Sequence, residues 1–233
     1  MPDSAFLEAF GLIATANADL YEILWLSVQV SITALLISVF LGFPIGTTLA
    51  ILDFRGKNLC TTLLNALMGL PPVVVGLLVY LALSRSGPFG VLGLLYTPTA
   101  MVIAQVVLIT PIIAALTYQV MDDLHREYRE LFLSLNIQLP KAISTYLWDA
   151  RYSLITTVLA GFGRAISEVG AVMIVGGNID HLTRVMTTAI ALETSKGELA
   201  IALALGVVLL TLALIVNGLV TAVRTRARKY GYT

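Results

Sequence analysis

Residues 101–141 read MVIAQVVLITPIIAALTYQVMDDLHREYRELFLSLNIQLPK, an apolar run that passes directly into a charged one. The apolar part can cross the ~30 Å hydrocarbon layer of a bilayer as a helix, which takes about 20 residues. From Asp122 to Lys141, charged side chains are interleaved with Leu, Phe and Tyr, which predicts an amphipathic helix outside the membrane. The stretch therefore predicts a membrane protein with one segment shaped to meet a partner beyond the lipid.

Composition predicts the same class along the rest of the chain. Of its 233 residues, 58% are hydrophobic and only 12% are charged, against roughly 25% charged in soluble domains. The apolar blocks predict five spans, at about residues 20–51, 58–84, 92–121, 151–175 and 199–223. None of them alternates like a barrel strand, and a helix satisfies its own backbone in lipid. A soluble protein would not need five such blocks, so we expect a single all-α membrane domain over residues 1–233.

The distribution of Lys and Arg predicts the orientation of the chain. Ten bases lie on one side of the predicted spans, at positions 55, 57, 126, 129, 141, 151, 224, 226, 228 and 229. Loops on the other side hold only Arg85, Arg184 and Lys196. The positive-inside rule places the N-terminus outside, and places the C-terminus and the charged region 122–147 in the cytoplasm. Residues 5–19 are expected outside, either as an interfacial helix or as a frayed tail.

The charged region has the pattern of a docking element. From Tyr128, apolar residues recur at Leu131, Phe132 and Leu135, which is a narrow stripe at helical spacing. Asn136 then stands where the helix should end, because Asn adopts the left-handed conformation of a helix C-terminus more readily than most residues. A short helix, a turn and an exposed apolar edge predict a knob that seats in a groove on a partner. The alternative is a helix lying on the lipid surface.

Within the fourth span, two residues of opposite charge lie four positions apart. Arg164 and Glu168 share one face of a helix and can pair. The basic residue precedes the acidic one, which is the less favourable order, so bonding of one of them to a different helix is the alternative. Ionisable groups at membrane depth are costly, so they should face each other, another helix or water rather than lipid. The functional interpretation is a gate that rearranges during transport. The structural interpretation, a pair that locks the helix bundle, stays open.

The outer segment 176–198 is the polar stretch in which a substrate is expected to make contacts. It contains Thr183, Arg184, Thr187 and Thr188 near a predicted helix start. Free backbone N–H groups and the helix dipole favour an anion at such a place. These four residues are therefore candidates for the substrate path, although an ordinary capped loop has the same composition.

Other classes of function find little support in the residues. His125 and His181 fall on opposite sides of the membrane, so no histidine pair is expected for catalysis. Cys60 is the single cysteine, which excludes an internal disulfide and a multi-cysteine metal site. No phosphate-binding Gly-x-x-x-x-Gly-Lys-Ser/Thr loop is present, so we expect no cofactor in this chain. An ion-coupled secondary transporter remains an alternative, with Glu168 as its one intramembrane carboxylate.

Three stretches resemble a known family. Residues 130–136 (ELFLSLN) resemble the EAA-x-x-x-G coupling motif of ABC-importer permeases, with Leu131 and Phe132 in place of the alanines and Asn136 in place of the glycine. Residues 161–171 (GFGRAISEVGA) resemble the molybdate and tungstate oxyanion permeases. Residues 183–197 (TRVMTTAIALETSKG) are most similar to the tungstate branch. The resemblance covers roughly residues 20–225.

The resemblance implies a fold, a set of partners and a substrate. The fold would be that of a type I ABC-importer permease in a prokaryotic inner membrane, and two copies would form a homodimer. Two ATPase subunits, which bind ATP and Mg²⁺, would dock on the cytoplasmic side, and an extracytoplasmic protein would deliver the oxyanion. The ATPase contacts would be made by Glu130, Leu131, Phe132, Leu135 and Asn136. Tungstate is the expected substrate, with molybdate or a sulfate-type oxyanion as the alternative.

Overall fold

The computed structural model describes Gly11 and residues 18–229, and for residues 228 and 229 it describes the backbone alone. The predicted interfacial segment 5–19 thus lies almost entirely outside the described residues. Between residues 18 and 229 the chain forms nine α-helices and no strand. The helices are α1 (Ala18–Ile51), α2 (Lys57–Met68), α3 (Pro72–Leu83), α4 (Pro98–Ser134), α5 (Leu139–Asp149), α6 (Arg151–Ile166), α7 (Gly170–Gly176), α8 (Met186–Lys196) and α9 (Leu199–Lys229).

The lengths of these helices agree with an all-α membrane protein. Among the described residues, α1, α4 and α9 are each long and apolar enough to cross a membrane alone. The pairs α2–α3 and α6–α7 each cross it if the two helices count as one bent span, which gives up to five spans. The predicted all-α fold with about five membrane spans is therefore confirmed.

The second and fourth predicted spans are not straight helices. The α2–α3 pair is bent by 100° and the α6–α7 pair by 55°. At the first bend, Pro71 precedes α3 in an extended conformation and Pro72 is the first residue of the helix. Proline lacks an N–H and pushes the residue before it out of the helical region, so α2 cannot continue into α3. Apolar composition alone did not reveal this break.

The third predicted span, residues 92–121, has different limits in the structure at both of its ends. Residues 90–92 form a single 3₁₀ turn, and α4 begins only at Pro98, after Thr97. At the other end α4 does not stop at the membrane boundary but continues through the charged stretch to Ser134. Its 37 residues make a helix about 55 Å long at ~1.5 Å per residue. A hydrocarbon layer of ~30 Å cannot contain it, so α4 projects well beyond the lipid.

Helices α1 and α4 form the most extensive helix pair of the bundle. Their contact depends on a glycine, because a Cβ placed on Gly46 would lie 2.7 Å from Cβ of Thr117. A second close approach joins α3 and α7, where a Cβ on Gly76 would lie 2.7 Å from Cα of Ala171. Small residues at such crossings let two backbones approach in lipid, where the hydrophobic effect does not drive helices together.

The helices run alternately between two ends of the bundle. One end carries the α1–α2 turn, the α4–α5 connection and the last turns of α9, and we call it the basic end because the Lys and Arg residues cluster there. The opposite end carries the starts of α1, α4 and α9, and α8 packs against α9 and α1. Ser27 of α1 joins α8 to the bundle, since its Oγ accepts a hydrogen bond of 2.8 Å from the N–H of Met186.

Candidate functional site

The end of α4 is a tight, hydrogen-bonded turn at the position that the sequence predicted. Asn136 has a φ of 50°, which is the left-handed conformation. The N–H of Asn136 donates to the carbonyl of Leu133 at 3.2 Å, and the N–H of Ile137 donates to that of Phe132 at 2.9 Å. These two bonds define a Schellman motif, which satisfies the last carbonyls of the helix. The turn reverses the chain, so that α5 packs back against α4 as the second arm of a hairpin.

Three aromatic rings and a histidine hold the two arms of this hairpin together. The ring of Phe132 stacks on that of Tyr146 with 5.4 Å between centroids, and Tyr128 stacks on Tyr146 at 6.2 Å. The Tyr146 hydroxyl lies 3.1 Å from Nδ1 of His125. Tyr146 is almost fully buried, and burial raises the pKa of its phenol above the usual value. This cluster fixes the angle at which α5 leaves α4.

Phe132 is half-buried and packs against α5, so it differs from its exposed neighbours, and its contact with an ATPase stays a prediction. Sequence periodicity placed Leu131, Phe132 and Leu135 on a single exposed stripe. In the structure Phe132 points towards α5, whereas Leu131 and Leu135 point outwards and are 54% and 61% exposed. Adjacent residues on a helix are about 100° apart, so one of the two neighbours had to face inwards, and the pattern did not decide which one.

The outer side of the hairpin is an exposed apolar surface. We call it the hairpin surface, and it consists of Leu131, Leu133, Leu135, Leu139, Leu147 and Trp148. Leu133 and Trp148 are 72% and 67% exposed. Glu130 lies at its edge, is also exposed, and makes no ion pair with any side chain that the structure describes. An exposed apolar surface of this kind is typical of contact with a protein partner or with a membrane, so the docking interpretation stays a prediction.

The bend between α6 and α7 contains the second group of candidate residues. Nη1 of Arg164 lies 2.6 Å from Oε2 of Glu168, so the two side chains are paired as their spacing suggested. The Glu168 side chain is 3% exposed and that of Arg164 is 32% exposed. The other carboxylate oxygen of Glu168 accepts a hydrogen bond of 3.1 Å from the N–H of Ala171, in the first turn of α7. One carboxylate thus neutralises a cation on α6 and caps α7.

Two other helices bond to the backbone of the same bend. Nε2 of Gln105, on α4, donates to the carbonyl of Ala165 at 3.1 Å. The hydroxyl of Thr187, on α8, donates to the carbonyl of Glu168 at 2.8 Å. A helix that breaks leaves carbonyls without their intrahelical partners, and buried carbonyls need others. Sequence analysis missed Gln105, although a lone amide inside an apolar span was a signal for a buried polar contact.

A small polar cavity adjoins this bend. Its lining includes Ser27 and Ser31 of α1, Gln105 of α4, Glu168 and Thr187. The cavity measures about 10 Å³, which is roughly the room that a single water needs. Oε1 of Gln105 is buried and has no hydrogen-bond partner among the residues that the structure describes. The cavity suits one bridging water and is far too small for an oxyanion.

The candidate substrate contacts of the outer segment are mostly buried. Thr183 donates to the carbonyl of Gly176 at 2.6 Å, and Thr188 donates to that of Val185 at 3.0 Å. Thr183, Thr187 and Thr188 are each at most 7% exposed. Arg184 pairs with Asp180 at 2.6 Å. In this conformation the four residues stabilise the loop before α8 and the first turn of that helix, and contact with a substrate stays a prediction.

Carboxylates surround the outer mouth beside Arg184. A cavity of about 160 Å³ there is lined by residues that include Asp19, Glu22, Asp180 and Glu193. Nδ1 of His181 lies 2.8 Å from Oε2 of Glu22, which ties the loop to the first turns of α1. The hydrogen bond to Glu22 and its negative charge raise the pKa of the His181 imidazole above its usual value. Three of these four carboxylates are paired with a basic side chain, Glu22 with His181, Asp180 with Arg184 and Glu193 with Lys196.

Comparison with known proteins places this architecture among membrane transport components. Residues 42–229 match the family described as "Binding-protein-dependent transport system inner membrane component". This range contains the hairpin, the α6–α7 bend and α8, so all the candidate residues named above lie inside the matched part.

Individual relatives share most of their length with this chain. The tungstate uptake system permease protein TupB of Peptoclostridium acidaminophilum is 42% identical over 215 residues, which are 92% of this chain and 94% of that protein. A probable anion ABC transporter permease protein of Haloferax volcanii is 40% identical over 89% of this chain and 91% of that protein. The sulfate transport system permease protein CysW of Escherichia coli K12 is 26% identical over 75% of this chain and 64% of its own length.

Proposed function

Because the chain belongs to the family of binding-protein-dependent transport system inner membrane components, we propose that it forms the membrane path of an ATP-driven importer for an oxyanion, with tungstate as the first candidate. It is a multi-pass membrane transport subunit. The choice of tungstate follows from the 42% identity to a tungstate uptake permease over 92% of the chain. The lower identity to a sulfate permease, 26%, makes sulfate the weaker alternative. Molybdate remains an alternative on the resemblance of residues 161–171 alone.

The observation that carries the ATP-driven part of the proposal is the hairpin surface. It stands on a helix too long to end in the lipid, and it exposes Leu133 and Trp148 to water at the basic end. By the positive-inside rule the basic end is cytoplasmic, where ATP is available. We propose that an ATPase subunit covers this surface, with Glu130 pairing at its rim. That subunit would bind ATP and Mg²⁺, and this chain would bind neither.

A second copy of the chain would complete the path. Apolar side chains pack the interior between α1, α4, α6 and α7, and the cavity at the bend has room for about one water. An oxyanion must therefore pass along an outer face of the chain, and a second copy would close that face against lipid. A homodimer would also present two hairpin surfaces to two ATPase subunits.

The α6–α7 bend is our candidate for the part that moves. Its two arms are separate helices joined by three residues, and side chains from α4 and α8 hold the angle between them. Breaking or re-forming the Arg164–Glu168 pair would release or restore that angle. We propose that this rearrangement gates the path, and that an extracytoplasmic binding protein delivers the oxyanion at the opposite end.

The test is to purify the chain together with the ATPase and the binding protein encoded beside it. ATPase activity is then measured with binding protein loaded with tungstate, molybdate or sulfate. Stimulation by tungstate at the lowest concentration would support the substrate and the coupling together. Stimulation by another anion would support the ATP-driven mechanism and make that anion the substrate in place of tungstate. Failure of any ATPase to copurify would overturn the ATP-driven mechanism.

A further inference from the structure

A groove at the basic end lies between α4, α6 and α9, apart from the hairpin surface and the bend. It measures about 390 Å³ and is lined by Leu116, Gln119 and Val120 of α4, by Tyr152, Ser153, Thr156, Thr157 and Ala160 of α6, and by Arg224 and Ala227 of α9. We propose that this groove binds the headgroup of an anionic phospholipid, with Arg224 holding the phosphate. The proposed transport function does not require such a site.

All three walls of the groove lie where their helices leave the hydrocarbon. Gln119 precedes the charged stretch of α4, which begins at Asp122. Arg224 is the first charged residue of α9, since residues 199–223 carry no charge. Ser153 and Thr156 lie in the first turns of α6, directly after Arg151. The groove is therefore at the depth of the lipid headgroups. Tyr152 in its lining agrees with this depth, because Tyr is enriched at membrane boundaries.

The chemistry of the lining is divided in two. Leu116, Val120 and Ala160 contribute apolar surface, and the other lining residues contribute an amide, several hydroxyls and one guanidinium, which we call the rim. No carboxylate lines the groove, and Arg224 makes no ion pair with a described side chain. A guanidinium without a carboxylate partner is a strong donor to a phosphate group. Apolar surface beside a cationic rim fits a phospholipid better than a free anion, which would leave that surface exposed.

The hydroxyls of the rim narrow the kind of headgroup. The hydroxyls of Thr156 and Thr157 donate to the carbonyls of Tyr152 and Ser153, at 3.1 and 3.2 Å. Each hydroxyl proton is thus already donated to a backbone carbonyl, and each hydroxyl oxygen can still accept a hydrogen bond. A headgroup with its own hydroxyls, such as glycerol, can donate to them while its phosphate bonds to Arg224. Phosphatidylglycerol has both groups, whereas phosphatidylcholine has no headgroup donor.

The surface below the groove can receive the acyl chains. On α9, Leu210, Leu214, Ile215 and Leu219 are all exposed large apolar residues. They lie one to four turns before Arg224 and form an apolar face against the hydrocarbon. An anionic leaflet also attracts the basic end of α9 as a whole, where Arg224, Arg226, Arg228 and Lys229 follow one another in the sequence.

The test compares two arginines of the same helix. The purified transporter is equilibrated with phosphatidylglycerol and phosphatidylcholine in detergent, and the retained lipid is counted by native mass spectrometry. We expect retention of phosphatidylglycerol to fall about tenfold in Arg224→Gln and to change much less in Arg226→Gln, because Arg226 does not line the groove. Arg224→Lys, which keeps the charge, should retain an intermediate amount.

Three results would overturn the lipid site. One is equal loss of phosphatidylglycerol in Arg224→Gln and Arg226→Gln, because the lipid would then be held by the overall positive charge of the helix end and not by a specific site. Another is equal retention of the two lipids by the unaltered chain. The third is binding of inorganic phosphate or tungstate in phosphatidylcholine nanodiscs that Arg224→Gln abolishes, which would make the occupant a soluble anion. The Tm of each variant checks folding independently, and Thr156→Val, which removes one rim acceptor and leaves every charge in place, should lower the retention of phosphatidylglycerol.

Discussion

Gln105 and Ala165 are sixty positions apart in the sequence, and a hydrogen bond of 3.1 Å joins the amide of the first to the carbonyl of the second. Both residues are buried, at 4% and 2% exposure. The bond connects α4, which carries the hairpin surface, to the last turn of α6 before the bend. It is thus a direct contact between the element that we assign to ATPase docking and the element that we assign to gating.

Gln105→Leu should destabilise the bend, because the carbonyl of Ala165 would keep only the N–H of Glu168, at 3.3 Å, as a donor. The loss of one such hydrogen bond costs about 0.5–1.5 kcal/mol. We expect a lower Tm for the purified transporter and slower uptake. The matched control is Gln29→Leu, which removes an exposed amide from α1 and should change neither. Equal effects of the two substitutions would show that the Gln105–Ala165 bond has no special role.

Glu168→Gln should impair transport more than Arg164→Gln. Glu168 is almost fully buried and also caps α7, whereas Arg164 is about one-third exposed and can reach water. The two substitutions should not be additive, with a coupling of about 0.5–3 kcal/mol in a double-mutant cycle of unfolding. Uptake is measured on the same four proteins. Additive losses would mean that the pair does not act as a unit.

Leu135→Asp should abolish association with the ATPase and leave the membrane bundle folded. Leu135 is exposed on the hairpin surface, and a carboxylate there would be buried unpaired under a partner. Glu130→Ala should weaken association to a lesser degree. Ser195→Asp, which adds the same charge to an exposed site on α8, is the control. Copurification of the ATPase and the Tm of the chain are the two measurements.

Phe132→Asp tests whether the side chain of Phe132 packs inside the hairpin or contacts the ATPase. Phe132 stacks on Tyr146 inside the hairpin, so a carboxylate there should lower the Tm as well as the association with the ATPase. Loss of the ATPase at an unchanged Tm would place Phe132 on the docking surface after all. The contrast with Leu135→Asp therefore checks which of the two side chains faces the partner.

Asn136→Gly should be tolerated and Asn136→Val should not. The φ of 50° at this position suits glycine and costs a β-branched residue about 1–2 kcal/mol. The valine variant should lose the turn of the Schellman motif and, with it, part of the ATPase association. Thermal unfolding of the three proteins provides the ranking, and a valine variant as stable as the other two would contradict it.

The contact between His181 and Glu22 should depend on pH. Because Glu22 raises the pKa of His181, the folded protein favours the protonated imidazole over the neutral one. The contribution of the pair to stability is complete below the unfolded pKa, about 6.5, and disappears as the pH rises through the higher folded value. Protection of residues 177–185 against hydrogen exchange, corrected for the intrinsic rate, should fall over that range. His181→Gln and Glu22→Gln should each remove the pH dependence.

Local sequence patterns predicted the features that are encoded locally. Apolar blocks located the spans, the spacing of Arg164 and Glu168 predicted their pairing, and Asn136 marked the end of α4. Each of these depends on residues that are close together in the sequence. The exact limits of the spans were less predictable, because apolar composition does not distinguish a straight helix from two helices bent at Pro71.

Contacts between distant residues were not predictable from one sequence. Nothing near Gln105 indicates that its partner is a carbonyl on α6, and nothing near Thr187 indicates that its hydroxyl is used by the bend. The threonines of the outer segment looked like ligands for an anion because hydroxyl groups suit both tasks. Only the three-dimensional packing shows that backbone carbonyls already accept their hydrogen bonds.

A single helix, α4, connects the α6–α7 bend to the hairpin surface. Gln105 and Ser134 belong to one helix, and about 44 Å of it separates them at ~1.5 Å per residue. If an ATPase docks on the hairpin surface, as we propose, its movement would reach the α6–α7 bend along one helix rather than through several loops. Pro111 lies on α4 between the two points and removes one backbone hydrogen bond. It is therefore a position at which α4 can bend, and a bend there would reduce the movement that reaches the α6–α7 bend.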